Sequence, residues 1–375
     1  MRIVADDKIP FLKGALEPFA EVIYIPGKQI NSDILRDSDA LLIRTRTKCN
    51  ENLLSGTNVR FIGTATIGFD HIDAHYCSRN QISWTNAPGC NSSSVLQYIA
   101  AALFRISSEC RFDLKSKTLG IIGVGNVGAK VENFARTLGM TVLLNDPPRA
   151  RLEGSQNFHS LNTVLSESDI VTLHVPLNVT GENNTFHLFS EEILSKIRKR
   201  AWFINSSRGE VTDTFALKKA LYSGKLAGAI IDVWENEPDI DLELMQQTLI
   251  STPHVAGYST DGKVNGTSMV VNSLSRYFNL PLEYWYPENV PLPAIPYISI
   301  NCNGRSEEDI LREAVIHTYK IDNDNARLRL SPGDFEKLRG DYPVRREFTS
   351  YTIDLKKGTD QIRQMLMAIG FKIKV

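Results

Sequence analysis

The chain is 375 residues long, more than one ordinary domain holds, and length alone predicts two or three. Its 42 Lys and Arg against 43 Asp and Glu leave a formal net charge of −1, which argues against a general nucleic-acid binder and requires local positive charge for any anionic ligand. No stretch approaches the roughly 20 apolar residues of a membrane span. The first residues, MRIVADDKIPF, lack the apolar core of a secretory signal, and the five cysteines are scattered without CxxC spacing, as expected of a reduced, cytosolic protein.

In chain order, MRIVA, AEVIYIP, ALLIRT, VRFIGTA and ISWTNA read as strands of a parallel sheet, because strands buried on both faces are almost continuously apolar. SSSVLQYIAAALFRISSE is apolar at helical spacing and opens on serines suited to capping. KTLGIIGVGNVGAKVENFARTLGMTVLLND reads strand, glycine turn, helix, strand. DIVTLHVP, RAWFINSS, AGAIIDVW and TLISTPH extend the alternation, which predicts a doubly wound α/β sheet. Residues 263–280 form a helix ending before Pro281, and residues 281–296, with five prolines, read as an extended linker. Beyond it, PYISINC, SEEDILREAVIHTY, REFTSYTIDL, TDQIRQMLMAIG and FKIKV suggest a small α+β module with nearly balanced charge.

GVGNVG at 123–128 joins a strand to a helix, and Asp146 lies eighteen residues after Gly128 at the end of the next strand. Gly123 permits a tight turn, Gly125 lets the backbone approach a pyrophosphate, and Gly128 lets helix and strand pack closely. The helix amino terminus, at Asn126 and Val127, offers free N–H groups to the anion. A lone glycine pattern is weak, but strand, helix and distal acid together predict a dinucleotide site. Asp146 would accept from the ribose hydroxyls and repel a 2′-phosphate, favouring NAD over NADP, with Arg149 and Arg151 near enough to weaken that preference. Asp232 ends another strand, where it would face the nicotinamide amide.

Downstream, Arg208 lies in NSSRGEV, Glu237 in DVWENEP and His254 in TPHVAG. A base, a carboxylate to tune it and a guanidinium to hold an anion are what hydride removal from a 2-hydroxy acid requires. Together with the glycine turn and VPLNVTGENNTFHLF, these motifs resemble the D-isomer-specific 2-hydroxyacid dehydrogenase family over roughly residues 1–280. RTRTKCN, GTATIGFDHID, NAPGCNSSSV, NDPPR and the appended module resemble the branch of that family acting on a four-carbon 2-hydroxy acid phosphorylated at its far end. The resemblance implies a Rossmann/flavodoxin-like α/β architecture. Residues 1–95 with 258–285 would form the substrate-binding domain, 96–257 the NAD-binding domain, and 286–375 a dimerisation module.

It also implies roles. His254 would take the C2 hydroxyl proton, Glu237 would hold its tautomer, and Arg208 would hold the carboxylate and developing carbonyl. Val175, Ser206, Ser207 and Gly257 would join the glycine turn, Asp146 and Asp232 around NAD. Arg44 and Arg46 bracket Thr45 after the strand ALLIR; with Thr66 in the TATIG turn and Tyr258 they are the candidate substrate residues. Oxidation of 3-phosphoglycerate or another 2-hydroxy acid, and an NADH-sensing binding protein, are the alternative readings. No metal site is expected: His71 and His75 sit four apart, as on a helix surface. The family chemistry is complete by about Tyr258, so residues 297–375 have no chemical part and would join two chains as a homodimer.

Overall fold

The apolar runs become strands, and helices cover both faces of the two larger sheets. The computed structural model describes residues 1–374. The chain folds as two compact units, Met1–Asn91 with Ser259–Pro291, and Ser92–Tyr258 with the segment from Leu292 onward.

In the first unit, β1 (Arg2–Asp6), β2 (Glu21–Ile25), β3 (Ala40–Ile43), β4 (Phe61–Thr64) and β5 (Ser83–Thr85) form a parallel sheet in the order β2-β1-β3-β4-β5. One face packs on Leu53, Leu54, Tyr76 and Cys77 from short helices. The other is covered by Val270, Val271 and Leu274 of the helix Thr260–Phe278. That helix ends where Asn279 adopts a left-handed conformation, a role Asn tolerates. The proline-rich stretch begins against this unit: Leu280, Leu282 and Trp285 pack on the same core, and Trp285 N donates to Asn272 Oδ1 at 2.9 Å.

In the second unit, β6 (Thr118–Ile122), β7 (Thr141–Asn145), β8 (Ile170–Leu173), β9 (Ala201–Asn205), β10 (Leu226–Ile231) and β11 (Ile250–Ser251) form a parallel sheet. The order is β11-β10-β9-β8-β6-β7. Chain progression reverses beside β6, so the crevice at the carboxyl ends of β6 and β8 is the topological switch point where such sheets bind ligands.

The last segment adds a three-stranded parallel sheet of β12 (Tyr297–Asn301), β13 (Thr352–Lys356) and β14 (Lys372–Ile373). Ile298, Ile300, Ile353 and Leu355 face inward and join one core with Tyr98 and Phe104 of the helix Ser92–Cys110. Polar contacts fix the same seam. Gln97 donates to Thr318 Oγ1 and to the Arg346 carbonyl, and Glu308 accepts from Ser107 Oγ and Leu114 N. Two further helices, Ile321–Leu330 and Phe335–Gly340, lie in a stretch whose sequence pattern suggests no element, and Leu328 and Phe335 complete the core on the opposite face of the larger sheet. Among the described residues, no helix is long and apolar enough to cross a membrane.

Candidate active site

The glycine turn sits at the carboxyl end of β6. Gly123 takes φ +88°, and a Cβ there would press on the His174 carbonyl. Around Gly125 a Cβ would meet nothing within 4 Å, so the backbone borders open space. Gly125 caps the helix Asn126–Thr137 without a side-chain hydrogen bond, which leaves its first N–H groups available to an anion. Asp146 closes β7: its Oδ2 accepts from Val124 N at 2.8 Å, and its Oδ1 caps the helix Pro147–Glu153 through Arg149 N at 3.0 Å. The nearby arginines are engaged. Arg149 grips Glu153 through Nε and Nη2, both at 2.7 Å, and Arg151 reaches Asn183 and Glu182.

At the end of β9, Ser207 is turned inward, its N–H and hydroxyl both donating to Asn205 Oδ1. Ser206 Oγ is buried without a protein partner. An orphaned hydroxyl, an open cradle at Gly125 and an uncapped helix amino terminus fit a dinucleotide. Val175, after β8, touches the Gly123 turn.

Nδ1 of His254 lies 2.7 Å from Oε2 of Glu237. The other carboxylate oxygen, Oε1, accepts from Trp234 N at 2.9 Å in a turn whose Asn236 has φ 61°. Burial alone would raise the Glu237 pKa. The hydrogen bond and charge of His254, the Trp234 N–H and the charge of Arg339 outweigh it and hold the carboxyl below its usual range. With an ionised acceptor on Nδ1, that nitrogen carries the proton and Nε2 keeps the lone pair.

His254 itself is left-handed, φ 55°, a conformation that persists only where surroundings over-determine it. Asp232 supplies this constraint. Its carbonyl accepts from His254 N, and its buried carboxylate accepts from Thr252 Oγ1, Val255 N and Ala256 N. These three donors hold the carboxylate on the loop that carries His254. Burial pushes the Asp232 pKa up, against the charge of His254 and these three hydrogen bonds. Arg345, from the last segment, donates to the Ala256 carbonyl at 2.6 Å and to Ser94 Oγ, bracing the same loop.

Arg208 is half-buried and extended, its Nη1 on the Ser207 carbonyl at 2.7 Å. A side chain on the following residue, Gly209, would collide with the Trp234 carbonyl, so the Arg208 segment lies against the turn that carries Glu237. Gly257 and Tyr258 follow His254 at the edge of the unit, and the Tyr258 ring meets Tyr342 edge-on at 5.8 Å.

In the first unit, Arg44, Thr45 and Arg46 follow β3, and Thr66 follows β4, the neighbouring strand. Thr66 Oγ1 donates to the Gly68 carbonyl and pairs with Thr64 Oγ1. His71 is not on a helix surface. It is half-buried in the loop before the helix Ala74–Arg79, its Nε2 3.1 Å from Thr64 Oγ1, and burial lowers its pKa despite Asp70. The helical spacing to His75 fails because the helix starts after His71.

Sequence reasoning missed Trp234, Arg345 and Arg339. Only Trp234 had a signal, as part of DVWENEP; the other two lie far along the chain in a segment with weak periodicity.

Residues 100–256 match the family model described as D-isomer specific 2-hydroxyacid dehydrogenase, NAD binding domain, and residues 291–370 match a domain of unknown function. The chain is 47% identical over 362 residues to an erythronate-4-phosphate dehydrogenase of Bacteroides fragilis, covering 95% of this chain and 100% of the relative. It is 40% identical over 374 residues to one from Proteus mirabilis, covering 99% of each. A solved D-lactate dehydrogenase from Aquifex aeolicus, complexed with NAD and lactic acid, superposes with a TM-score of 0.61 at 27% identity, over 74% of this chain and 96% of its own.

Proposed function

Because this chain belongs to the erythronate-4-phosphate dehydrogenases, within the D-isomer-specific 2-hydroxyacid dehydrogenase family, we propose that it oxidises 4-phospho-D-erythronate to (R)-3-hydroxy-2-oxo-4-phosphobutanoate. This places it in pyridoxal 5′-phosphate biosynthesis. The observation that carries the chemistry is the 2.7 Å pair of His254 Nδ1 and Glu237 Oε2. It leaves Nε2 of His254 as the base for the C2 hydroxyl proton. Glu237 fixes the tautomer and stabilises the imidazolium that forms. Arg208 holds the substrate carboxylate and the C2 oxygen as it becomes a carbonyl. When bound, NAD supplies the acceptor for the C2 hydride. Gly123, Gly125, Asn126, Val127 and Gly128 would cradle its pyrophosphate, with Asp146 at the ribose and Val175, Ser206, Ser207, Asp232 and Gly257 around the remainder. Thr45, Thr66, Arg44, Arg46 and Tyr258 are the proposed substrate residues.

The same reading includes a homodimer through the carboxy-terminal module. Its support is apolar surface on that module: Ile295, Tyr297 and Leu330 are 61%, 73% and 83% exposed.

The test is initial-rate kinetics with NAD on 4-phosphoerythronate, 3-phosphoglycerate, erythronate and lactate. The phosphorylated four-carbon acid should give the highest kcat/KM. Buried anion-binding groups left without their phosphate would cost erythronate roughly 1.5–3 kcal/mol per lost charge-assisted bond. A higher kcat/KM on any of the other three acids would overturn the substrate assignment.

A further inference from the structure

Arg339 belongs to the short helix Phe335–Gly340 of the carboxy-terminal segment, 85 residues beyond the base, yet it packs on Tyr258, four residues after His254. Its guanidinium carbon sits 5.6 Å from the centre of the Tyr258 ring and 5.8 Å from that of Phe335. Two aromatic rings therefore fix the position of the planar cation. Tyr258 is itself positioned by Tyr342, whose hydroxyl donates to buried Asp324 at 2.6 Å. The charge of Arg339 is one of those felt by Glu237. Glu336 takes Nη1 at 3.2 Å, while Nε is buried and donates to nothing. The side chain is 20% exposed. A guanidinium that is mostly desolvated, set against two rings and only partly paired is built to receive an oxyanion.

Resting on the substrate reading above, we propose that Arg339 is a specificity-determining residue that binds the phosphate of the substrate over Tyr258. The carboxy-terminal module then completes the recognition site instead of serving assembly alone. Phosphate suits this position better than the reacting carboxylate, because Arg208 already stands beside the Glu237 turn for that group. An arginine fork matches two phosphate oxygens at once, which a lysine does not.

The experiment uses full-length protein, with Arg339→Gln and Arg339→Lys compared to wild type on 4-phosphoerythronate and on erythronate, and with inorganic phosphate as competitor. NADH titration reports the integrity of the fold. For Arg339→Gln the KM for the phosphorylated acid should rise on the order of 10–100-fold, the worth of a charge-assisted hydrogen bond. The loss on erythronate should be far smaller, and phosphate should inhibit correspondingly less. Arg339→Lys should recover part of the loss. An equal loss on both acids, or a fall in kcat with a displaced pH profile, would make Arg339 a positioning residue for Glu237 and overturn the proposal. If wild type fails on 4-phosphoerythronate but oxidises another D-2-hydroxy acid, the substrate reading falls. Arg339 is then judged on phosphate inhibition of that acid: inhibition unchanged by Arg339→Gln ends the proposal, and inhibition weakened by it sustains phosphate binding at this residue.

Discussion

Asp232 and His254 are joined through the backbone, the His254 N–H donating to the Asp232 carbonyl at 2.7 Å while the Asp232 carboxylate holds the two N–H groups that follow. The base is thus locked in a left-handed conformation by a buried acid directly after β10. The Glu237 bond then sets which nitrogen carries the proton and leaves a carboxylate beside the imidazolium that forms.

His254→Asn and Glu237→Gln should separate base from orienting acid. Loss of a general base costs about 10²–10⁴-fold in rate. His254→Asn should fall in that range with NADH binding retained, because the glycine turn lies in a different segment. Glu237→Gln keeps the shape but loses the charge, and should lower kcat more than it raises KM. Near wild-type turnover in either variant would remove that residue from the mechanism.

Stability should depend on pH through Glu237. Its folded pKa lies below the ordinary 4.5, so the folded state binds fewer protons than the unfolded chain as pH falls. The contribution is fully present above 4.5 and is lost as pH falls through the folded value. The difference in Tm between wild type and Glu237→Gln should shrink as pH falls below the ordinary 4.5. A gap that widens with acid would contradict the direction of the shift.

Asp146→Ala should narrow the preference for NAD over NADP, measured as the ratio of kcat/KM. Arg149 and Arg151 are tied to Glu153, Glu182 and Asn183, so wild type should favour NAD clearly. The substitution also removes a helix cap and the partner of Val124 N, with a stability loss of about 1 kcal/mol. A wild-type preference for NADP would refute the role given to Asp146.

Arg345→Met should destabilise the second unit. The guanidinium is buried, lies 4.5 Å over the Tyr319 ring, and bonds Ser94 and the Ala256 carbonyl. Removing it should cost about 3–5 kcal/mol, the usual penalty for opening a buried charged cluster. Denaturant unfolding measures this, and a loss under about 1 kcal/mol would show that the brace is dispensable.

The dimer is better tested by surface substitution than by cutting the chain near Pro287. Truncation would strip Ile298, Ile300 and Ile353 from the core they share with Tyr98 and Phe104. Tyr297→Asp with Leu330→Asp leaves that core intact. Wild type should sediment as a dimer and the double variant as a monomer; a variant that stays a tight dimer places the interface elsewhere.

The sequence by itself determined whatever rests on local pattern. Continuous apolar runs specified parallel strands, GVGNVG specified a turn between strand and helix, and short motifs around Arg208, Glu237 and His254 marked the polar residues worth attention. These signals are legible because each needs only neighbours within a few positions. Tertiary structure alone decided the rest. Asp232 and the loop after His254 meet only because the paired parallel strands β10 and β11 bring their carboxyl ends together. Arg339 and Arg345 reach the Tyr258 and Ala256 loop because the last segment shares its hydrophobic core with the dinucleotide-binding sheet. No periodicity encodes that contact: it follows from burying two apolar faces against each other, an energy that depends on area removed from water and not on separation along the chain.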